Sequence, residues 1–305
     1  MSNFIRRHVG SSLKQIEKMY KDLCLTPEKL VNKTIPINIQ KKFSKNHALE
    51  NQEYVTSNIL KKGMDQNKIY NSLIGLDYHQ NILPNVIKRN ILEDPRWYTG
   101  YTPYQSEISQ GRLESSFNFQ TLVSELTGLP ITNCSLLDTG SASVEAMNMA
   151  FNIHREKREK FVIDDKLHPH IEEILRTRAE IMDIELIKSN IIDIEKHIDG
   201  NLFGYFFSYP DTLGNINLRK DLINELKNNN TIVISKNDPL SLLLLKSPGE
   251  IGVDISLGTT QRMGLPMWYG GPHSAFFATK EEYIRLMPGR IIGRSIDRNN
   301  KPAYR

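Results

Sequence analysis

The chain has 305 residues, of which 39% are hydrophobic and 24% charged, and its formal net charge is +4. These values are ordinary for globular proteins and exclude a fully disordered chain. The longest apolar run, Leu242 to Leu245, is too short to span a bilayer, and no basic block is interleaved with aromatic residues. We therefore expect neither membrane insertion nor nucleic-acid binding.

The cysteines and the first residues indicate the compartment. Cys24 and Cys134 lie far apart and have no metal-ligand residues around them, which argues against a disulfide framework and against a metal site. Residues 1–8 show neither the apolar core of a secretory signal nor the start of an Arg/Ser-rich transit peptide. A cytoplasmic location is the expectation.

Helical patterns dominate the first part of the chain. Ser12 is followed three residues later by Gln15, the spacing of a capping box, and Thr26 precedes a proline at a second helix start. The Asn- and Lys-rich stretch 33–70 is only weakly periodic and predicts short helices. Residues 1–75 are therefore predicted to form a helical N-terminal extension.

An aromatic loop and a long helix come next. Trp97–Gln105 contains three tyrosines and a proline, a composition that forbids a continuous helix. Helical periodicity then predicts a helix from Gly111 to Thr127, which Gly128 should end.

The rest of the chain alternates short apolar runs with helical patterns. Strands are predicted at 161–163, 184–187, 204–208, 231–234 and 275–278, with helices at 170–178 and 218–227. This alternation is typical of βαβ units around a mostly parallel sheet. Residues 76–305 are thus predicted to be an α/β domain, and ligands bind such sheets at the carboxyl ends of the strands.

Two candidate binding features lie on either side of the first predicted strand. Gly140 and Ser141 open a predicted helix, whose backbone N–H groups suit a phosphate, although such residues also serve as ordinary caps. His168, just after the strand at 161–163, suits stacking on a flat ring or proton transfer, with a purely structural role as the alternative.

Two further positions bear on coenzyme chemistry. Asp238 lies after the strand at 231–234, where its carboxylate suits a ring nitrogen, although it could equally cap a helix at 239–245. No lysine stands between Thr259 and His273, and Gln261 cannot form an imine because an amide nitrogen is not a nucleophilic amine.

The run from Asn85 to Glu114 resembles the glycine decarboxylase (P-protein) family of the glycine cleavage system. Further stretches resemble the same family in the same order, namely Phe4–Gly10, Asn118–Gln120, Leu175–Glu180, Gln261–His273 and Met287–Gly293. The resemblance implies the fold-type-I large domain of pyridoxal phosphate (PLP) dependent transferases, a mostly parallel sheet flanked by helices, over 76–305, with the small C-terminal domain truncated.

Family members of the single-chain type contain two related halves, and the C-terminal half carries the PLP lysine. The resemblance implies that this sequence is most of the N-terminal half, as a truncated gene, a fragment or a separate subunit. Gln261 then occupies the lysine position, so no catalytic residue is assigned. Gly140, Ser141, His168 and Asp238 are similar to the phosphate cradle, the stacking histidine and the pyridinium-pairing aspartate, and form a cofactor-binding pseudo-site.

The implied reaction is that of glycine dehydrogenase (aminomethyl-transferring), an oxidoreductase. PLP, held by the missing half, supports the decarboxylation of glycine, and the aminomethyl group passes to the lipoyl arm of H-protein. Tyr101, Tyr104 and Gln105 would border that pocket as a partner-site loop, or else only bury the interface between the halves. The implied partners are the catalytic C-terminal half, lipoylated H-protein and glycine, in a dimer or pseudo-dimer.

Two other functions remain open at this point. The chain, expected to be inactive alone, could instead be a non-catalytic interaction or structural subunit that binds the catalytic half or H-protein. An independent PLP enzyme that uses another lysine, such as Lys246, is disfavoured because an imine needs a positioned amine.

Overall fold

The computed structural model describes residues 7–8, 10–41, 52–155 and 157–305. Part of the Phe4–Gly10 motif, and residues 42–51 of the stretch predicted to form short helices, lie outside the described residues. The chain divides into two compact units, Met1–Asn71 and Ser72–Arg305. Within the described ranges, no helix is long and apolar enough to cross a membrane.

The first unit is helical where it is described. Its helices are α1 (Leu13–Asp22), α2 (Pro27–Thr34) and α3 (Glu53–Met64). The predicted capping box is present, because the Ser12 amide donates to Gln15 Oε1 and the Gln15 amide donates to Ser12 Oγ. Thr26 is the N-cap of α2, with its hydroxyl accepting from the Lys29 amide.

The second unit alternates strands and helices. Its α-helices of four or more residues are α4 (Gln110–Thr127), α5 (Thr139–Ile153), α6 (Pro169–Ile181), α7 (Lys220–Asn228) and α8 (Pro248–Ile251). Its strands are β1 (Ile131–Thr132), β2 (Lys160–Asp164), β3 (Glu185–Ser189), β4 (Leu202–Tyr209), β5 (Ile232–Asn237), β6 (Ile255–Thr259), β7 (Ala275–Thr279), β8 (Arg294–Ile296) and β9 (Pro302–Tyr304).

The main sheet has seven strands in the order β1-β7-β6-β5-β4-β2-β3, and β8 and β9 form a separate hairpin. The run β6-β5-β4-β2-β3 is parallel, whereas β7 is antiparallel to β6 and β1 is antiparallel to β7. The chain leaves β2 for β3 on one side and then returns to β4 on the other. Because parallel strands end at one edge, the loops after β2, β4, β5 and β6 all lie at the same edge of the sheet.

Helices cover both faces of this sheet, which explains why every residue of β4 and β5 is buried. On one face Phe206 packs with buried side chains of α5 and α6, and on the other Tyr205 and Phe207 pack with Leu222 and Leu226 of α7. Each fully buried large side chain of this kind contributes about 1.5–3 kcal/mol.

Two glutamines on α4 hold later segments of the chain. Gln120 donates from Nε2 to the Ile292 carbonyl (2.9 Å) and accepts from the Ile292 amide (2.8 Å). Gln110 makes the same pair of bonds with Tyr304, at 2.8 and 2.9 Å. Each glutamine side chain therefore bonds to both the backbone N–H and the backbone C=O of one residue, as a paired residue on a neighbouring β-strand does.

Replacing Gln120 with leucine should lower the free energy of unfolding by about 2 kcal/mol, because the Ile292 amide and carbonyl would lose their partners while buried. Urea denaturation measures the effect. Asn118→Leu, at an exposed position of the same helix, is the matched control and should change stability little. Equal stability of both variants would show that the paired bonds to Ile292 contribute nothing.

Candidate functional site

The residues that the sequence singled out for coenzyme chemistry lie on four elements. Ser141 is in the first turn of α5, His168 precedes α6, Asp238 directly follows β5, and Gln261 lies two residues after β6. These loops share one edge of the sheet, the edge where parallel sheets bind ligands.

The helix start expected to hold phosphate is capped by the chain itself. Asp138 Oδ1 accepts from the Ser141 amide at 2.7 Å. The Ser143 hydroxyl donates back to the Thr139 carbonyl. A Cβ at Gly140 would lie 2.5 Å from Ile174 Cδ1, so this glycine serves the packing of α5 against α6. A carboxylate already occupies the helix N-terminus and opposes a second anion there.

His168 is buried in a fixed hydrogen-bond network. Thr212 Oγ1 donates to the Lys166 carbonyl (2.6 Å), which leaves this oxygen as an acceptor for His168 Nδ1, 2.8 Å away. The network thus assigns the proton to Nδ1 and makes Nε2 an acceptor. Lys236 Nζ lies 2.7 Å from Nε2 and fills that role as donor.

Lys236 and Asp77 form a buried ion pair that the sequence did not predict. Both residues are 3% exposed, and Lys236 Nζ donates to Asp77 Oδ1. Burial by itself raises the pKa of the Asp77 carboxyl, but the Lys236 ammonium and the His168 ring together outweigh burial and hold that pKa well below its ordinary value. The pair is therefore charged, as buried ionic groups with close partners are.

Asp238 is paired with an arginine. Its carboxylate accepts two bonds to Oδ2 and one to Oδ1 from the Arg262 guanidinium, at 2.6–3.2 Å. Burial raises the pKa of the Asp238 carboxyl, but the hydrogen bonds and charge of Arg262, together with the Leu240 amide, outweigh burial and lower it. Asp238 also accepts from the Leu240 amide, and the helix considered at 239–245 is a short turn over Ser241–Leu243.

Gln261 is 1% exposed and fully engaged. Its Oε1 accepts from the His79 amide (3.0 Å), and its Nε2 donates to the carbonyls of His79 and Leu265, both at 2.6 Å. Asn81 Nδ2 donates to the Gln261 carbonyl at 2.6 Å. Gln261, at the position matched to the PLP lysine, thus holds the segment 79–81 in place through these hydrogen bonds.

The aromatic loop, Trp97–Gln105, makes a separate set of contacts. The Tyr101 hydroxyl donates to Gln105 Oε1 at 2.5 Å, so the structure brings two of the three predicted loop residues together. The Arg290 guanidinium lies 5.6 Å from the centre of the Tyr104 ring and also donates to the Pro103 carbonyl. The Tyr104 side chain nevertheless remains 78% exposed, which leaves most of the ring available for contact with another polypeptide.

The residues of the pseudo-site do not fit PLP. A carboxylate caps the helix that would hold the phosphate, Arg262 engages the aspartate that would pair with the pyridinium nitrogen, and Gln261 offers no amine. Lys236 and Thr212 engage both ring nitrogens of His168. No group of three potential metal-ligating side chains occurs in the part of the chain that the structure describes.

Comparison with known proteins gives a consistent answer. Residues 6–305 match the family described as glycine cleavage system P-protein. A glycine dehydrogenase (decarboxylating) of Pelagibacter ubique is 43% identical over 304 residues, which cover 99% of this chain and 32% of the relative. Glycine dehydrogenase (decarboxylating) 2 of Pseudomonas putida is 42% identical over 308 residues, with 100% and 32% covered. The chain spans about a third of the length of these curated relatives.

Solved structures agree with this match. A crystal structure of glycine decarboxylase (P-protein) of the glycine cleavage system, in inhibitor-bound form, superposes with a TM-score of 0.85 at 26% identity and covers 97% of this chain and 68% of that one. A sphingosine-1-phosphate lyase of Burkholderia pseudomallei, at 11% identity and a TM-score of 0.59, shares the fold alone. The predicted fold class is confirmed.

Proposed function

This chain belongs to the glycine cleavage system P-protein family, and from that premise we propose that it forms the part of such a protein that does not hold the coenzyme. Together with a lysine-bearing remainder, it serves the PLP-dependent decarboxylation of glycine and the transfer of the aminomethyl group to the lipoyl arm of H-protein. The dimer or pseudo-dimer and the cytoplasmic location stay predictions.

The observation that carries this proposal is the state of Gln261. Both polar atoms of its amide are bonded within the chain, and an amide cannot anchor the coenzyme as an imine. The family membership supports the reaction, and the state of Gln261 supports a role for this chain in shaping the site and not in anchoring the coenzyme.

The aromatic loop supports a role in completing that site. Arg112 and Arg290 hold the loop backbone by donating to the carbonyls of Tyr101 and Pro103. The backbone is fixed while the Tyr104 ring stays exposed, so the loop can present side chains to a pocket on the remainder without first becoming ordered.

Reconstitution tests the proposal. The chain is co-expressed with the unmatched two thirds of the Pelagibacter ubique relative, and CO2 release from carboxyl-labelled glycine is measured with PLP and lipoylated H-protein. The relative's own matched third, expressed with the same remainder, is the control. We expect activity from both pairs and none from the chain alone. CO2 release by the chain alone, or an inactive pair beside an active control, would contradict the proposal.

In the reconstituted enzyme, Tyr104→Phe should lower kcat/KM for glycine about tenfold, because it removes one hydroxyl hydrogen bond near the reacting groups. Tyr98→Phe, at another exposed tyrosine of the same loop, is the matched control and should leave turnover unchanged. Unchanged kinetics for Tyr104→Phe would limit Tyr104 to packing at the interface.

A further inference from the structure

One short segment of the second unit contacts both of the positions that the resemblance gives to the coenzyme. At one end, Asp77 Oδ1 lies 3.4 Å from Nε2 of His168, the residue matched to the ring-stacking histidine. Two residues further on, the backbone of His79 makes two hydrogen bonds with Gln261, the residue matched to the lysine. Residues 77–81 therefore bridge the two positions.

Further contacts fix this segment along its length. The Tyr78 ring lies 4.8 Å from that of His273, whose Nε2 is 3.0 Å from the Asp77 carbonyl. Asn81 Nδ2 donates to the carbonyls of Gln261 and Leu265. The segment 77–81 is thus packed against the loop after β6.

Lys236 connects the segment to the sheet. It lies near the end of β5 with its ammonium between the Asp77 carboxylate and the His168 ring. Thr212 holds the ring with Nε2 towards the lysine, so the ammonium has two acceptors in fixed places. The Lys236 ammonium attracts the carboxylate of residue 77 and donates a charge-assisted hydrogen bond to it.

We propose that the coenzyme position of this chain is filled by its own residues 77–81, and that Lys236 is the latch that holds them there. Lys236 is thus a positioning residue and not an attachment lysine. The inference concerns contacts within this chain and stands whether or not the aromatic loop completes a site on the remainder of the protein.

The first test asks whether the position admits a coenzyme. The purified 305-residue chain is incubated with PLP, reduced with borohydride, and digested for mass spectrometry. We expect no pyridoxyl adduct on the peptide that contains Lys236. Such an adduct, formed in stoichiometric yield, would overturn the proposal, because it would show a reactive amine where the latch should be.

The second test asks whether Lys236 holds the segment. Hydrogen exchange is followed for the peptide that covers residues 77–81, in wild type, in Lys236→Met, and in the neutral double variant Asp77→Asn/Lys236→Met. The double variant leaves no unpaired charge, so it keeps the test valid if Lys236→Met fails to fold. Lys280→Met is the matched control, because it breaks the ion pair of Lys280 with the buried Asp254 carboxylate.

We expect exchange in 77–81 to be about tenfold faster in both Lys236 variants and unchanged in Lys280→Met, since the hydrogen bonds of a charged donor would be lost. If residues 77–81 exchange at the wild-type rate in the double variant, the proposal that Lys236 holds this segment would be overturned. Faster exchange spread over the whole second unit in the double variant would overturn it as well, because the lysine would then support the fold in general.

Discussion

Replacing Asp77 with alanine is expected to lower the free energy of unfolding by about 3–5 kcal/mol, because it leaves the Lys236 ammonium buried without its counter-charge. Lys236 is 3% exposed, and the imidazole ring of His168 that remains beside it supplies no negative charge. Urea denaturation of wild type and variant measures the loss.

Two comparisons identify the cause. Asp77→Ala/Lys236→Met removes both charges and should recover much of the lost stability, since a buried pair replaced by apolar groups is often neutral. Asp165→Ala breaks a more exposed ion pair with Lys166 and should change stability little. A double variant as unstable as Asp77→Ala would mean that packing, and not the unpaired charge, sets the effect.

The same pair has a predicted pH signature. The pKa of Asp77 is depressed in the folded state, so its contribution to stability is present above the unfolded-state pKa of about 3.9 and is lost as pH falls towards the folded value. Asp77→Asn should therefore lose stability less steeply than wild type as pH is lowered below about 4. Denaturation midpoints across this range measure the slopes, and parallel slopes would contradict the assignment.

Replacing Gly258 with alanine should destabilise the second unit by about 3 kcal/mol or more. A Cβ at this position of β6 would lie 2.0 Å from the Asn237 carbonyl oxygen on β5, a backbone atom that cannot move unless the strands separate. Gly293→Ala is the control, because its Cβ would meet no atom within 4 Å. The midpoints of thermal and urea unfolding are measured for both variants. Equal midpoints would show that the strands can shift without a loss of stability.

Much of the fold was open to prediction because its signals are local. The helix predicted over 111–127 is α4, and Gly128 ends it with a φ of +65° as expected. The strand β6 was missed because Ser256, Gly258 and Thr259 give it a polar composition. These residues are buried in the sheet, where the hydroxyl of Ser256 donates to the side chain of Asn237 on β5, a contact that no local pattern shows.

The site was less predictable because its residues form hydrogen bonds and ion pairs with residues that are distant in sequence. Asp238 was correctly placed after a strand, but the charge that engages it, Arg262, comes from another loop. The strand that was predicted to stop at residue 234 continues to Asn237, and Lys236 is therefore buried within it. Its counter-charge, Asp77, lies 159 residues away, so no spacing in the sequence could have paired them.

The paired amide bonds from Gln110 and Gln120 have a consequence for how this protein can vary. They fix Ile292 and Tyr304 to one rigid helix, so the hairpin between these two residues is held independently at both of its ends. Insertions or deletions in its exposed tip at 297–301 can then be absorbed locally, without a shift of register on either side. Length variation among homologues should therefore concentrate at that tip and spare the two anchor points.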